Sequence, residues 1–390
     1  MATLELDSVT TSYGKVTAVS DLQLTVGDGE FFVILGPSGA GKTTTLKSVA
    51  GLVELDSGDV SIGGRSMDGV EPYHRNVAMA FESYALYPQK TVFENIASPL
   101  RSGRTGDYSK SDQERRVELV TTTLGIDHLL KRFPRELSNG QRQRVALGRV
   151  LVRPADVYLL DEPLSHLDAK LRAAMRAELK QLGEMSNTTT LYVTHDYQEA
   201  LALGDRIAVL RKGKLVQVGT PEQIWREPVD TFVAKALGQP EINLIDAEVA
   251  DGRIRALDGA LDAAVPSGLG VGSGGRIRLG VRPRDLEVAR EGRGGSDWLR
   301  VSGRVDLAER LGRHVELSVR VGRGELIVLG SSEYSGAEGQ AMNLQVPLAD
   351  VHVFEAGAAD EDTRRLGALG VRNEATDAHR PAPAEPTRSI

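Results

Sequence analysis

The sequence predicts an α/β domain through about residue 237, a β-rich domain over 238–369 and a disordered tail over 370–390. Three observations carry this division. Apolar runs of strand length, FFVIL, VYLLD, TLYVT and RIAVL, alternate in the first part with helical stretches such as Ala169 to Leu182, the pattern of helices laid on parallel strands. From about Gly238 the texture changes to short alternating runs, RIRLGV, VELSVRV and ELIVLG, separated by Gly-rich turns, as in small barrels and sandwiches. The closing VRNEATDAHRPAPAEPTRSI is polar and Pro/Ala-rich, with little to bury. At 390 residues the chain also exceeds the roughly 250–300 at which single cores stop growing, so more than one core is expected.

Taken in order, the chain starts with MATLELDSV, which is acidic and lacks the charged-then-apolar pattern of a signal peptide, so a cytosolic protein is expected. The strand FFVIL runs into GPSGAGKT and then into the helical TTTLKSVAGL. That order of strand, Gly-rich loop and helix is the context in which G-x-x-x-x-G-K-[ST] binds phosphates. The glycines Gly36, Gly39 and Gly41 let backbone N–H groups curl around an anion, Lys42 reaches the terminal phosphates, and Thr43 offers a hydroxyl to Mg²⁺. Next, VAMAF reads as a buried strand that stops at the carboxylate of Glu82. The segment from about residue 91 to 152 has apolar positions at helical spacing and no strong strand, so it reads as an inserted helical subdomain. Within it, Ser138 and Gln141 of LSNGQ form an S-x-x-Q capping box that opens a helix, and a Ser beside a Gly at a helix N-terminus is also an anion site. The strand VYLLDEP ends in Asp161 and Glu162, an acidic pair able to hold Mg²⁺ through the first and orient an attacking water through the second.

Composition narrows the function classes. With 41% hydrophobic and 26% charged residues and a net charge of −7, the chain reads as an ordinary soluble protein without the basic surface a nucleic-acid partner calls for. The run Phe31 to Leu35 is far short of the ~20 residues that span a bilayer. With no cysteine, thiolate nucleophiles, disulfides and Cys-ligated zinc are excluded.

Together these residues resemble the ATP-binding subunits of ABC transporters. GPSGAGKT looks like the family's Walker A motif, with Pro37, Ser38 and Ala40 between the glycines and Thr44 following Thr43. LSNGQ, holding Ser138, Asn139, Gly140 and Gln141, looks like the signature, LLDEP like Walker B, SHLD with Asp168 like the D-loop, and His195 like the switch histidine. Tyr13 sits where the family stacks an aromatic on adenine. The resemblance implies a P-loop NTPase core working as a head-to-tail dimer of two copies with two ATPs between them. Lys42, Thr43, Asp161, Glu162 and His195 of one copy would face Ser138 and Gly140 of the other, with Glu162 as general base and Mg²⁺ on Thr43, Asp161 and Glu82. A heterodimer with a sister subunit is the alternative.

The last third, through GVRPRDLEV, VDLAERLG and DVHVFEAG, is similar to the OB-like (TOBE-type) regulatory domain of maltose-type carbohydrate importers. This implies an importer ATPase, peripheral on the cytoplasmic face of the inner membrane. It would dock two integral-membrane permease subunits through the Q-loop and helical subdomain, and be served indirectly by an external solute-binding protein. Polyamine, iron or anion importers, and less readily a soluble non-transport ABC ATPase, are the alternatives. Three departures stand out: Asn139 for a signature glycine, His166 for the D-loop Asn, and Glu82 for the Q-loop glutamine. Glu82 keeps a side-chain oxygen for metal and water but loses the amide donor.

Overall fold

The computed structural model describes residues 2–81, 83–101, 108–165, 167–186, 188–289, 296–312, 314–331, 337–358 and 360–371. Glu82, His166 and the tail from 372 onward lie outside them. The chain forms two compact units, Met1–Ile224 and Trp225–Ile390.

In the first unit, six strands form one sheet in the order Lys214–Gly219, Arg206–Arg211, Phe31–Leu35, Thr189–Thr194, Val157–Asp161 and Val77–Ala80. All pair in parallel except Lys214–Gly219, which closes the edge as an antiparallel hairpin. Strands Phe31–Leu35, Val157–Asp161 and Thr189–Thr194 are buried along their whole length, which is why they read as unbroken apolar runs rather than alternating ones. One face of this sheet presents Phe32, Ile34, Val157, Leu159, Leu191 and Val193 to Leu46 and Val49 of the helix Lys42–Ala50. A four-stranded antiparallel sheet, Val16–Val26, Leu4–Tyr13, Ser57–Ile62 and Arg65–Ser66, contributes Val19, Leu22 and Leu24 to the same core.

Between Val77–Ala80 and Val157–Asp161 the regular elements among the described residues are helical: Val92–Ala97, Lys110–Thr123 and Asn139–Leu151, with short 3-10 turns. Thr91, Ser109 and Ser138 cap the three by accepting a backbone N–H with a side-chain oxygen. Gly148 lies against Ile96, Leu124 and Val120, so the third helix packs closely on its neighbours.

The second unit is built from antiparallel strands after two short helices, Pro221–Arg226 at its border and Thr231–Ala236. A six-stranded sheet runs Leu261–Ala264, Arg253–Ala256, Asn243–Ala250, Arg276–Val281, His352–Glu355, Arg365–Ala368. A five-stranded sheet runs Glu287–Val288, Ala341–Pro347, Trp298–Leu311, His314–Val321, Gly324–Ser331. Alternate residues such as Ile277, Leu279 and Val281 meet Val315, Leu317 and Val319 in one shared core. Asn243 fastens the two sheets together: its amide donates to the Val281 and Ile327 carbonyls (3.1 and 2.8 Å) and its oxygen accepts the Ile327 N–H at 2.8 Å. Arg282, 2% exposed, stacks 3.9 Å over the Trp225 ring and donates to the carbonyls of Trp225, Ala234 and Leu237. A cation this deeply buried persists because those backbone acceptors, left over at short helices, need a donor as much as it needs them.

Candidate active site

Three neighbouring strands end at one level. The pairing of Leu35 with Thr194 and of Asp161 with Val193 sets the starts of Gly36, Glu162 and His195 side by side at the carboxyl edge of the parallel sheet. This is the edge at which open α/β sheets hold ligands.

The Gly-rich loop is shaped by backbone demands. Gly41, at φ 99°, precedes the helix Lys42–Ala50 with no side-chain cap, and a Cβ there would stand 2.5 Å from the Ala18 carbonyl oxygen. A Cβ on Gly36 would stand 2.6 Å from the Leu210 carbonyl oxygen. The helix thus begins with its N–H groups aimed into the loop, a ready anion cradle. Lys42, 5% exposed, folds back across the loop and donates to the Gly36 and Pro37 carbonyls at 2.9 and 3.1 Å. Its ammonium also lies 3.3 Å from Glu162 Oε1.

Glu162 leaves its strand in the left-handed region, at φ 44°. That conformation costs a side-chain-bearing residue about 1–2 kcal/mol. It is held by the Glu162 N–H donating to the Val193 carbonyl at 3.1 Å and by Ser165, whose hydroxyl and N–H both donate to the Glu162 carbonyl (3.0 and 3.3 Å). The bend places the carboxylate between two partners: Oε1 faces Lys42 and Oε2 lies 2.8 Å from His195 Nδ1. Beside it, the Thr43 hydroxyl donates to Asp161 Oδ1 at 3.0 Å. A hydroxyl and a buried carboxylate side by side form the hard-oxygen set that suits Mg²⁺, with phosphate oxygens and water completing the shell.

The turn carrying His195 rests on a buried polar network that sequence reasoning missed. Glu199, 2% exposed, accepts hydrogen bonds from the Tyr192 hydroxyl at 2.8 Å and the Thr194 hydroxyl at 2.7 Å. Arg172 donates to Asp196 at 3.2 Å and to the Leu167 carbonyl at 3.1 Å, and lies 3.9 Å from Glu199. Arg172, Thr194, Asp196 and Glu199, together with Glu162, Ser165 and His195, line a polar cavity of about 20 Å³, room for one water.

Burial pushes the Glu199 carboxyl above the ordinary glutamate range, and the bonds from Thr194 and Tyr192 offset only part of that rise. A raised native value means the folded chain keeps this proton where the unfolded chain releases it. The stability Glu199 contributes is therefore complete below the ordinary glutamate value and lost as pH rises through the native one. In Glu199→Gln that loss is absent, so the variant should gain on the parent as pH rises, each unit inside the window being worth about 1.4 kcal/mol. Urea unfolding from mildly acid to neutral buffer measures it, and a difference that does not change with pH rules it out.

The other residues singled out from sequence stand as follows. Ser38, Gly39, Ala40 and Thr44 belong to the loop and the first helical turn with Lys42 and Thr43. Tyr13 is 49% exposed, at the end of its strand next to the turn to Val16. Ser138 and Gln141 form the reciprocal capping box, with Ser138 Oγ accepting the Gln141 N–H at 3.3 Å and Gln141 Oε1 accepting the Ser138 N–H at 3.0 Å. Asn139 accepts from Arg142 at 2.6 Å, and Gly140 lies against Leu167 and Leu171. Asp168 caps the helix Ala169–Ser186 through the Leu171 N–H at 2.9 Å. Among the described residues, no hydrogen bond joins Ser138–Gln141 to the Lys42 cluster within one chain.

Residues 19–165 match the family model described as ABC transporter, and residues 279–354 match the TOBE domain. The trehalose/maltose import ATP-binding protein MalK of Thermococcus litoralis is 42% identical over 375 residues, spanning 91% of this chain and 98% of that one. The sn-glycerol-3-phosphate import ATP-binding protein UgpC of Salmonella typhi is 42% identical over 357 residues with the same coverage. The chain belongs to the ABC transporter import ATP-binding proteins. As in other ABC ATPases, its activity is ATP hydrolysis coupled to transport, and it couples an α/β ATPase core with a TOBE domain. Among solved ABC structures, the dimeric bacterial cassette MJ0796 superposes with a TM-score of 0.52 at 29% identity, covering 56% of this chain and 98% of that one. A post-hydrolysis form of the same cassette, bound to ADP and Pi, aligns equally well. No helix among the described residues is long and apolar enough to cross a membrane.

Proposed function

We propose that two copies of this chain close head to tail around two ATPs and drive a pair of integral-membrane permease subunits on the cytoplasmic face of the membrane. The cargo class we infer is a sugar or glycerol-phosphate-like solute, supported by the names of the trehalose/maltose and glycerol-3-phosphate import relatives. The observation that carries the mechanism is the line Lys42–Glu162–His195 beside Thr43–Asp161.

Lys42 already shares its charge between loop carbonyls and Glu162. A terminal phosphate entering the loop takes over as its anion, which releases Glu162 to accept a proton from the attacking water. His195 Nδ1 faces a carboxylate, so that nitrogen carries hydrogen. Its Nε2 is then the ring nitrogen left to meet a γ-phosphate oxygen. Mg²⁺, held by Thr43 and Asp161, would supply charge neutralisation across the phosphates. Ser138 and Gly140 are left to a second copy, since within one chain their bonds stay in their own turn. Tyr13, half-exposed, is free to stack on the adenine.

Affinity purification from membranes tests the assembly: two integral-membrane proteins should accompany the chain, and stable association with ribosomes instead would sink it. Cells lacking the chain should lose uptake of labelled trehalose, maltose or sn-glycerol-3-phosphate. Loss of polyamine uptake alone would reassign the cargo.

A further inference from the structure

Arg149, two residues before the end of the helix Asn139–Leu151, reaches out of that helix. Its guanidinium donates to two consecutive carbonyls, Ala85 at 2.7 Å and Tyr84 at 3.0 Å, and lies 5.7 Å from the Tyr87 ring centroid. The residues it holds are both in the left-handed region, Tyr84 at φ 61° and Ala85 at φ 46°. Residues with side chains avoid that region, so two in succession need something to keep them there. Local bonds, Tyr84 N–H to the Phe81 carbonyl and Ala85 N–H to the Ser83 carbonyl, close the turn from inside. Beyond it the chain is fixed by Asn95, fully buried, which accepts the Tyr87 N–H at 2.8 Å and donates to the carbonyls of Tyr87, Lys90 and Thr91. The clamp from Arg149 is thus a direct tie between this turn and the helix that Ser138 opens.

We propose that Arg149 is a positioning residue for ATP hydrolysis, locking the Tyr84–Ala85 turn to the signature helix so that the two move as one piece. A displacement of the helix at its Ser138 end is carried along a rigid rod to the turn following the strand Val77–Ala80. That strand pairs with the one ending in Asp161, through Ala80 and Leu160, so the turn sits one strand away from the reacting groups. A planar fork is needed for the task, because it satisfies two carbonyls at once in one orientation; a lysine ammonium cannot. The nucleotide as trigger rests on the function proposed above, whereas the clamp itself does not.

The test compares full-length wild type, Arg149→Met and Arg149→Lys by backbone amide exchange and by steady-state ATPase with MgATP. In Arg149→Met, exchange across residues 83–87 should rise at least 10-fold while strand Val157–Asp161 keeps its protection. kcat should fall at least 5-fold with KM for ATP within 2-fold, since the Gly-rich loop is untouched. Adding Ala85→Gly to the Met variant should restore part of kcat, because glycine holds the left-handed conformation without a clamp. Arg149→Lys, which keeps the charge, should show the same pattern more weakly, and it carries the comparison if the Met variant does not fold. Unchanged exchange at 83–87, a KM rise equal to the kcat fall, or no rescue by Ala85→Gly would each overturn the proposal. A wild-type chain without ATPase activity would sink the function proposed above, and exchange without nucleotide would still decide the clamp.

Discussion

Glu162→Gln is expected to lower ATP turnover by about 10²- to 10⁴-fold while leaving ATP binding intact. The carboxylate is the group between Lys42 and His195 able to take a proton, and its backbone is bent into the left-handed region to put it there. Glutamine has nearly the same shape and still presents an oxygen toward Lys42, so the loop keeps its form. What is lost is the basic oxygen and one negative charge beside the γ-phosphate, and both losses favour a bound, unhydrolysed nucleotide. The variant should therefore accumulate as an ATP-bound dimer on gel filtration, with ADP giving monomer as the control. Turnover at the parent's rate would remove Glu162 from the role of base.

The largest effect on stability is expected from Arg282→Met in the second unit. Methionine fills much of the same volume against Trp225, so packing changes little. The carbonyls of Trp225, Ala234 and Leu237, however, lose a charged donor in a site where the arginine is 2% exposed. Leaving buried acceptors unpaired costs about 1–3 kcal/mol each before relaxation, so a loss of about 3 kcal/mol is expected. For a domain of this size that lowers the midpoint by on the order of 10 °C. Both tryptophans of the chain, Trp225 and Trp298, lie in the second unit, so tryptophan fluorescence follows its unfolding alone. A midpoint within experimental error of the parent would show that the carbonyls find other donors.

Much of the site was legible because its signals are local. FFVIL and VYLLD are short, wholly buried strands, and GPSGAGKT and the Asp161–Glu162 pair follow them directly in sequence. Ser138 and Gln141 were readable as a capping box because both partners lie within one turn. The groups that hold the machinery in position were not readable. Arg149 meets Tyr84 and Ala85 across 65 and 64 residues, and Arg172 meets Asp196 across 24. Neither pairing leaves a mark on periodicity, and an arginine on a helix reads as solvated until its target is known. Glu199 was hidden for a similar reason, since the donors Tyr192 and Thr194 belong to a wholly buried run whose pattern reports only burial.

The common level at which Leu35, Asp161 and Thr194 end their strands has a consequence for how this protein can vary. The separations among Lys42's loop, Glu162 and His195 are measured in sheet spacings, about 4.8 Å per strand, and owe nothing to the length of any surface loop. Insertions between the strands leave that ruler untouched. A single-residue deletion within Val157–Leu160 does not: it moves Asp161 to the opposite face of the sheet and brings Glu162 into its place opposite Thr43, so the metal-side carboxylate and the base are no longer separate groups. Length is therefore fixed inside these three five- or six-residue strands and freer in the surface connections between them.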